Sequence, residues 1–120
     1  MLPEWGIMIN SRGDAVLVVF PNSDLVTFKK RPALVVQSNR PDTGIPQAVL
    51  ALITTMQRTG PTRVSVSIDS SPGKAMGLLH DSVVVTDNLA TVLDKQVDKV
   101  IGRCPIMSSV DVALRHTLDL

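Results

Sequence analysis

Aromatic side chains are nearly missing from this sequence: they make up 2% of its 120 residues, with no tyrosine, two phenylalanines and one tryptophan. The core must therefore be assembled from Val, Leu, Ile and Ala. A platform of aromatic rings that stacks bases, the device of RRM and OB-type RNA binders, has no material here. Cysteine occurs once, at Cys104, which excludes an intrachain disulfide and a multi-cysteine zinc site and fits a reducing cytoplasm. The first ten residues, MLPEWGIMIN, place an acid and a proline where a secretory signal needs a basic end and an unbroken apolar run. No stretch approaches the roughly 18 apolar residues of a membrane helix. The expectation is a soluble cytoplasmic chain that makes no use of a membrane.

Several chemistries are missing in the same way. The sequence has no HExxH, no GxGxxG, no P-loop and no GxSxG, so zinc hydrolysis, dinucleotide binding, phosphate cradling by a P-loop and nucleophile-elbow hydrolysis lack their signatures. His80 and His116 are far apart. No metal and no cofactor is expected.

What is present begins with an ordinary hydrophobic share of 44% against 19% charged residues. A single domain over residues 1–120 can bury roughly two-thirds of the surface its unfolded chain exposes. The net charge of +1 conceals a block. From residue 29 to 63 six cations (Lys29, Lys30, Arg31, Arg40, Arg58 and Arg63) meet one acid, Asp42, while the rest of the chain is acidic by four charges. Gathered on one face, such a block attracts phosphates; spread over loops, it does no more than solvate them.

Short Val- and Ile-rich runs punctuated by Pro and Gly predict strands joined by turns. The runs are residues 15–20 (AVLVVF), 32–37, 48–55 (AVLALITT), 63–68 (RVSVSI) and 82–86 (SVVVT). Pro32 suits the first position of its strand. In the fourth run Val64, Val66 and Ile68 should face the core while Arg63, Ser65 and Ser67 face outward. Residues 39–46 and 69–74 read as exposed loops. Five strands without intervening helices predict a small, mostly antiparallel barrel. At the C-terminus the period changes: Ser108 is positioned as an N-cap, and Val110, Ala113, Leu114, Thr117 and Leu118 form the apolar stripe of a closing helix.

Two features could carry chemistry. Arg31 stands at the entry to the second strand, and Thr54 and Thr55 stand at the end of the third. A guanidinium fork suits a phosphate and a threonine hydroxyl can donate to a phosphoryl oxygen. Equally, arginine is a common edge residue and threonine a common strand residue.

The order Arg12-Gly13-Asp14-Ala15-Val16-Leu17-Val18 through Phe20-Pro21, Lys30-Arg31-Pro32-Ala33-Leu34-Val35-Val36, Leu52-Ile53-Thr54-Thr55, Gly77-Leu78-Leu79 with Asp81-Ser82-Val83, and Thr91-Val92 with Asp94-Lys95 and Ile101-Gly102 resembles the MazF/PemK family of toxins. The resemblance runs from about residue 10 to residue 118. It implies a mainly β fold: an SH3-like small barrel of the PemK/CcdB-like toxin type with a C-terminal α-helix. It also implies a homodimer, a metal-independent endoribonuclease acting on single-stranded RNA to leave 2′,3′-cyclic phosphate and 5′-OH ends, a cognate antitoxin protein as partner, and DNA binding as the toxin–antitoxin complex.

On the same resemblance Arg31 and Thr54 match the catalytic arginine and threonine. Lys29, Lys30, Thr55, Arg58 and Ser23 are the expected RNA contacts. Asp87 is a candidate base by position, and His80 an independent one, because imidazole exchanges protons near neutral pH. Two departures stand out. After the last long strand the chain reads Asp87-Asn88-Leu89-Ala90-Thr91-Val92-Leu93-Asp94 where many members carry an acid and Arg-Thr-Ile-Asp, so an arginine is lost and a residue inserted. The loop at 22–28 lacks the Glu-Gln/Gly-rich pattern. Two alternatives stay open: a non-enzymatic toxin of this fold that inhibits DNA gyrase, disfavoured by a chain end without tryptophan, and an inactive RNA- or protein-binding barrel.

Overall fold

Valines and leucines in unbroken runs make strands that can be buried on both faces, and the first and third strands and the second half of the second are of this kind. The computed structural model describes residues 10–21, 24, 26–39 and 44–120; Ser23, Arg40, Asp42 and the opening segment lie outside them. The strands are β1 (Asp14–Pro21), β2 (Phe28–Val35), β3 (Gln47–Thr54), β4 (Arg63–Val66), β5 (Ser82–Leu93) and β6 (Val97–Arg103). Among the described residues two helices, α1 (Ser71–Ala75) and α2 (Met107–Leu118), and a 3₁₀ turn at Asp94–Gln96 accompany the strands. The strands form one antiparallel sheet in the order β4-β5-β3-β2-β1-β6. Because β4 and β6 are its two edges, the barrel-like sheet is not closed.

Neighbouring residues go to opposite faces and both faces are dry. Ala15, Leu34, Ala51, Ile53 and Val84 pack with Met76 and with Val110 of α2. Their chain neighbours Val16, Val35 and Leu50 join Val18, Ala33, Ala48 and Val92 in a second cluster. Among the described residues none from a helix belongs to that second cluster. Val92 from the far end of β5 and Val97 at the start of β6 help to cover it, so the sheet curls over its own face. Arg12 fastens the helix side: its guanidinium pairs with Asp111 of α2, and its Nε donates to the Val36 carbonyl at 3.0 Å.

The sequence expectations need four corrections. First, β2 begins at Phe28, and Pro32 lies inside it; the β1 ladder runs out to Pro21↔Phe28, whereas the β3 ladder covers Ala33–Val35, so the missing Pro32 N–H interrupts no bond to β3. Second, Gln37 lies beyond the strand and joins it through its side chain, which accepts from Val49 N–H at 3.2 Å and donates to the Gln47 carbonyl at 3.3 Å. Third, residues 69–74 are not wholly a loop. Ser70 caps α1 by accepting from Gly73 N–H at 3.1 Å, with proline in the first turn. Fourth, α2 begins at Met107 with Ile106 in the N-cap position and no side-chain cap, so Ser108 is already in the first turn. A sixth strand, β6, was not foreseen.

Asp94 opens the 3₁₀ turn. It is 8% exposed, its Oδ1 has no hydrogen-bond partner among the described residues, and burial raises its pKa. An acid whose folded pKa lies above its unfolded one stabilises the fold below the ordinary carboxylate range and loses that contribution as pH rises through the raised value. Asp94→Asn is therefore expected to gain stability over the native chain at neutral pH. The gain should shrink to nothing in acid, as read from urea midpoints across pH.

Candidate active site

β2 and β3 bring Arg31 and Thr54 to one cleft. The ladder between these strands ends at Ala33 and Leu52, and Arg31 and Thr54 each lie two residues beyond that end. Alternation puts both on the face of the second core cluster, in line with Ala33, Val35, Leu50 and Leu52. They share a cleft of ≈ 480 Å³ with Arg63 of β4 and with Asp87 and Asn88 of β5, floored in part by Leu52 and Val85. Arg31 lies inside β2, just before its buried half Ala33–Val35, so a firmly packed strand carries an exposed cation.

The two cations of the cleft are in different electrostatic states. Arg63 is paired with Asp87, Nη2 to Oδ1 at 3.5 Å. Arg31 makes no ion pair among the described residues, and its five donors are available to an incoming anion. Thr54 Oγ1 accepts from Met56 N–H at 3.1 Å. The contact occupies one of its two lone pairs and leaves the hydroxyl proton free to be donated to a second oxygen.

The remaining expected residues are placed as follows. Asp87 is in the cleft; His80 is exposed in the turn before β5, with its carbonyl accepting from Ser82 Oγ at 2.7 Å, and it does not line the cleft. Thr55 and Arg58 are exposed on the loop that leaves β3, next to the cleft but outside its lining. Lys29 is exposed on the Arg31 side of β2. Lys30 alternates to the other side, where it pairs with Asp98 of β6 at 3.2 Å. Ser23 lies outside the described residues.

Arg63 and Asn88 were not foreseen as site residues. Arg63 was placed on an outward face, and nothing in its short run shows that β5 turns that face into a wall. For Asn88 there was a signal: Asp-Asn is a poor pair of strand formers inside an otherwise β-rich run. Cys104 belongs to the core, and burial pushes its thiol up, away from nucleophile chemistry. Among the described residues no group of three or more His, Cys, Asp or Glu gathers in a metal-binding arrangement, and no helix is long and apolar enough to cross a membrane.

Comparison with known proteins gives a consistent picture. The family described as PemK-like, MazF-like toxin of type II toxin–antitoxin systems matches residues 11–118. A search of curated proteins found no match. Among solved structures, an endoribonuclease in complex with its cognate antitoxin from mycobacterial species superposes with a TM-score of 0.71 at 24% identity, covering 92% of this chain and 96% of that one. A second mycobacterial endoribonuclease gives 0.69 at 26%, covering 93% and 95%. A MazE–MazF crystal structure from Deinococcus radiodurans gives 0.73 at 16%, covering 93% and 98%.

Proposed function

Because the chain belongs to the PemK-like, MazF-like family of type II toxin–antitoxin toxins, we propose that it is an endoribonuclease that cleaves single-stranded RNA without a metal ion. The observation that carries this reading is the Arg31 guanidinium, without an ion pair among the described residues, sharing a cleft with a Thr54 hydroxyl that has one lone pair engaged and its proton free. In the proposed reaction the ribose 2′-OH attacks the adjacent phosphorus, and the bond to the 5′-oxygen breaks. The products are a 2′,3′-cyclic phosphate and a 5′-OH. Charge builds on the non-bridging oxygens of the phosphorane, where the Arg31 fork donates in parallel and Thr54 supplies a further donor. Arginine does not deprotonate in proteins, so its part is electrostatic rather than a proton transfer.

The test is cleavage of a single-stranded RNA by the purified chain in the presence of EDTA. Cleavage at an undiminished rate, with cyclic phosphate at the 3′ ends, is expected; activity that EDTA abolishes and a divalent ion restores would contradict the metal-free chemistry.

The same reading extends to partners. We propose a homodimer, whose joined surfaces would align two basic blocks into a groove for several nucleotides, met in the cytoplasm. Sedimentation as a monomer at micromolar concentration would contradict it. An acidic segment of an antitoxin laid along that groove would block it by charge complementarity. Affinity for that partner is expected to fall steeply with salt, as titration at increasing ionic strength would show; a salt-independent affinity would refute charge as the basis.

A further inference from the structure

The departure in sequence at Asp87-Asn88 corresponds to a departure in the sheet. Ala51 pairs with Leu89 and Leu52 with Val85, so residues 86–88 of β5 have no partner on β3. In an unbroken strand, neighbouring side chains leave on opposite faces. A bulge breaks that alternation and re-aims side chains, and here Asp87 and Asn88 both line the cleft.

The bulge is fixed from behind. Thr86 is fully buried; its N–H and its Oγ1 both donate to the Thr62 carbonyl, at 3.0 and 2.6 Å, and Oγ1 lies 2.9 Å from Thr117 Oγ1 of α2. Arg63 holds Asp87 Oδ1 from the side. Among the described residues Asp87 Oδ2 has no hydrogen-bond partner. A carboxylate oxygen, which can only accept, is thereby presented beside the residues set to hold the phosphate, with an amide that both donates and accepts next to it.

We propose that Asp87 and Asn88 read one base next to the scissile phosphate. Asp87 accepts a hydrogen bond from an exocyclic amino group, so adenine, cytosine or guanine is preferred to uracil at that position. Arg63 is the positioning residue that holds the carboxylate in place. Uracil is disfavoured because its edge flanks one N–H with two carbonyl oxygens, which a carboxylate repels, and it carries no amino group. This inference rests on the ribonuclease reading above for its substrate, and it assigns Asp87 to recognition rather than to proton transfer.

The experiment measures binding rather than cleavage. Short oligonucleotides built on 2′-deoxyribose throughout lack the attacking hydroxyl and stay intact on the native chain, and each position is varied in turn through the four RNA bases. Amino-bearing bases are expected to bind about ten-fold tighter than uracil at one position, the scale of one good base contact. Asp87→Ala should erase that preference while preferences at other positions persist, and Asp87→Glu should restore part of it. The proposal is overturned if no position of the native chain shows the preference. It is equally overturned if the preference survives Asp87→Ala, or if Asp87→Ala weakens every sequence alike. The ribonuclease reading fails separately, through absence of RNA cleavage by the native chain while the base preference in binding remains.

Discussion

Arg31→Ala is expected to lower RNA cleavage by on the order of 10²–10³-fold, the usual effect of removing a donor aimed at charge that develops in the transition state. The reason is specific to this cleft. Of the two cations lining the cleft, Arg31 has no carboxylate partner among the described residues, whereas Arg63 is already paired with Asp87. Its charge is thus uncompensated until a phosphate arrives. The folded state should hardly notice the change. Arg31 is exposed, and the strand is held by Ala33, Leu34 and Val35, each fully buried, so stability should change by no more than about 0.5 kcal/mol. Arg31→Lys should recover little, since an ammonium cannot offer two parallel donors to one phosphoryl group. Single-turnover rates, read beside urea denaturation of the same proteins, would separate this from a folding defect; a large fall in stability, or a rate within a few-fold of native, would sink the assignment.

Gly77→Ala is expected to be among the most destabilising small substitutions in the chain, costing about 2–5 kcal/mol. That range combines roughly 1–2 for left-handed backbone at a residue with a Cβ with roughly 1–3 for overpacking. Gly77 has φ +69°, and a Cβ there would lie 2.2 Å from the Ile101 carbonyl oxygen of β6. Across the same contact a Cβ on Gly102 would lie 2.3 Å from the Ala75 carbonyl oxygen. The α1 turn and β6 therefore meet backbone to backbone, and there is no flexible side chain to move aside. Gly44 is the control. It has nearly the same φ, +70°, with nothing among the described residues within 4 Å of the added carbon, so Gly44→Ala should cost the backbone share alone. Equal losses for the two variants in urea denaturation would show that the close approach carries no weight.

Where the sequence could be read and where it could not follows from the same contacts. β1, β2 and β3 were visible because strands buried on both faces are written as unbroken Val, Leu and Ala. Arg31 was expected at the entry of its strand and lies inside it, because the ladder with β1 extends out to Phe28. β6 was invisible because Val97–Arg103 carries Gly102 and the charges Asp98, Lys99 and Arg103; such charges protect an edge strand from pairing with another chain, and they hide its β character. The five-residue α1 is too short for any period to show, although its Ser-Ser-Pro start was a legible cap.

The helix at the C-terminus was legible in the first part of its stripe and misplaced at its start: Val110 and Ala113 are buried as expected, Leu118 at the far end is exposed, and Ile106 takes the cap position through backbone geometry alone. The candidate site divides along the same line. Arg31, Thr54 and Asp87 could be named from local sequence and resemblance. That Arg63 faces them, and that Asn88 points the same way as Asp87, depends on a register shift between β3 and β5, which no local pattern encodes.

The most direct test of the central claim, that the cleft holding Arg31 and Thr54 cleaves RNA, is to map the ends it produces. RNA incubated in EDTA with the purified native chain and with Arg31→Ala would be sequenced from its 5′-OH ends. New 5′-OH ends at a restricted set of sequences, paired with 2′,3′-cyclic phosphate and missing from the Arg31→Ala sample, are the predicted result; no new ends from the native chain, or the same ends from both proteins, would contradict it.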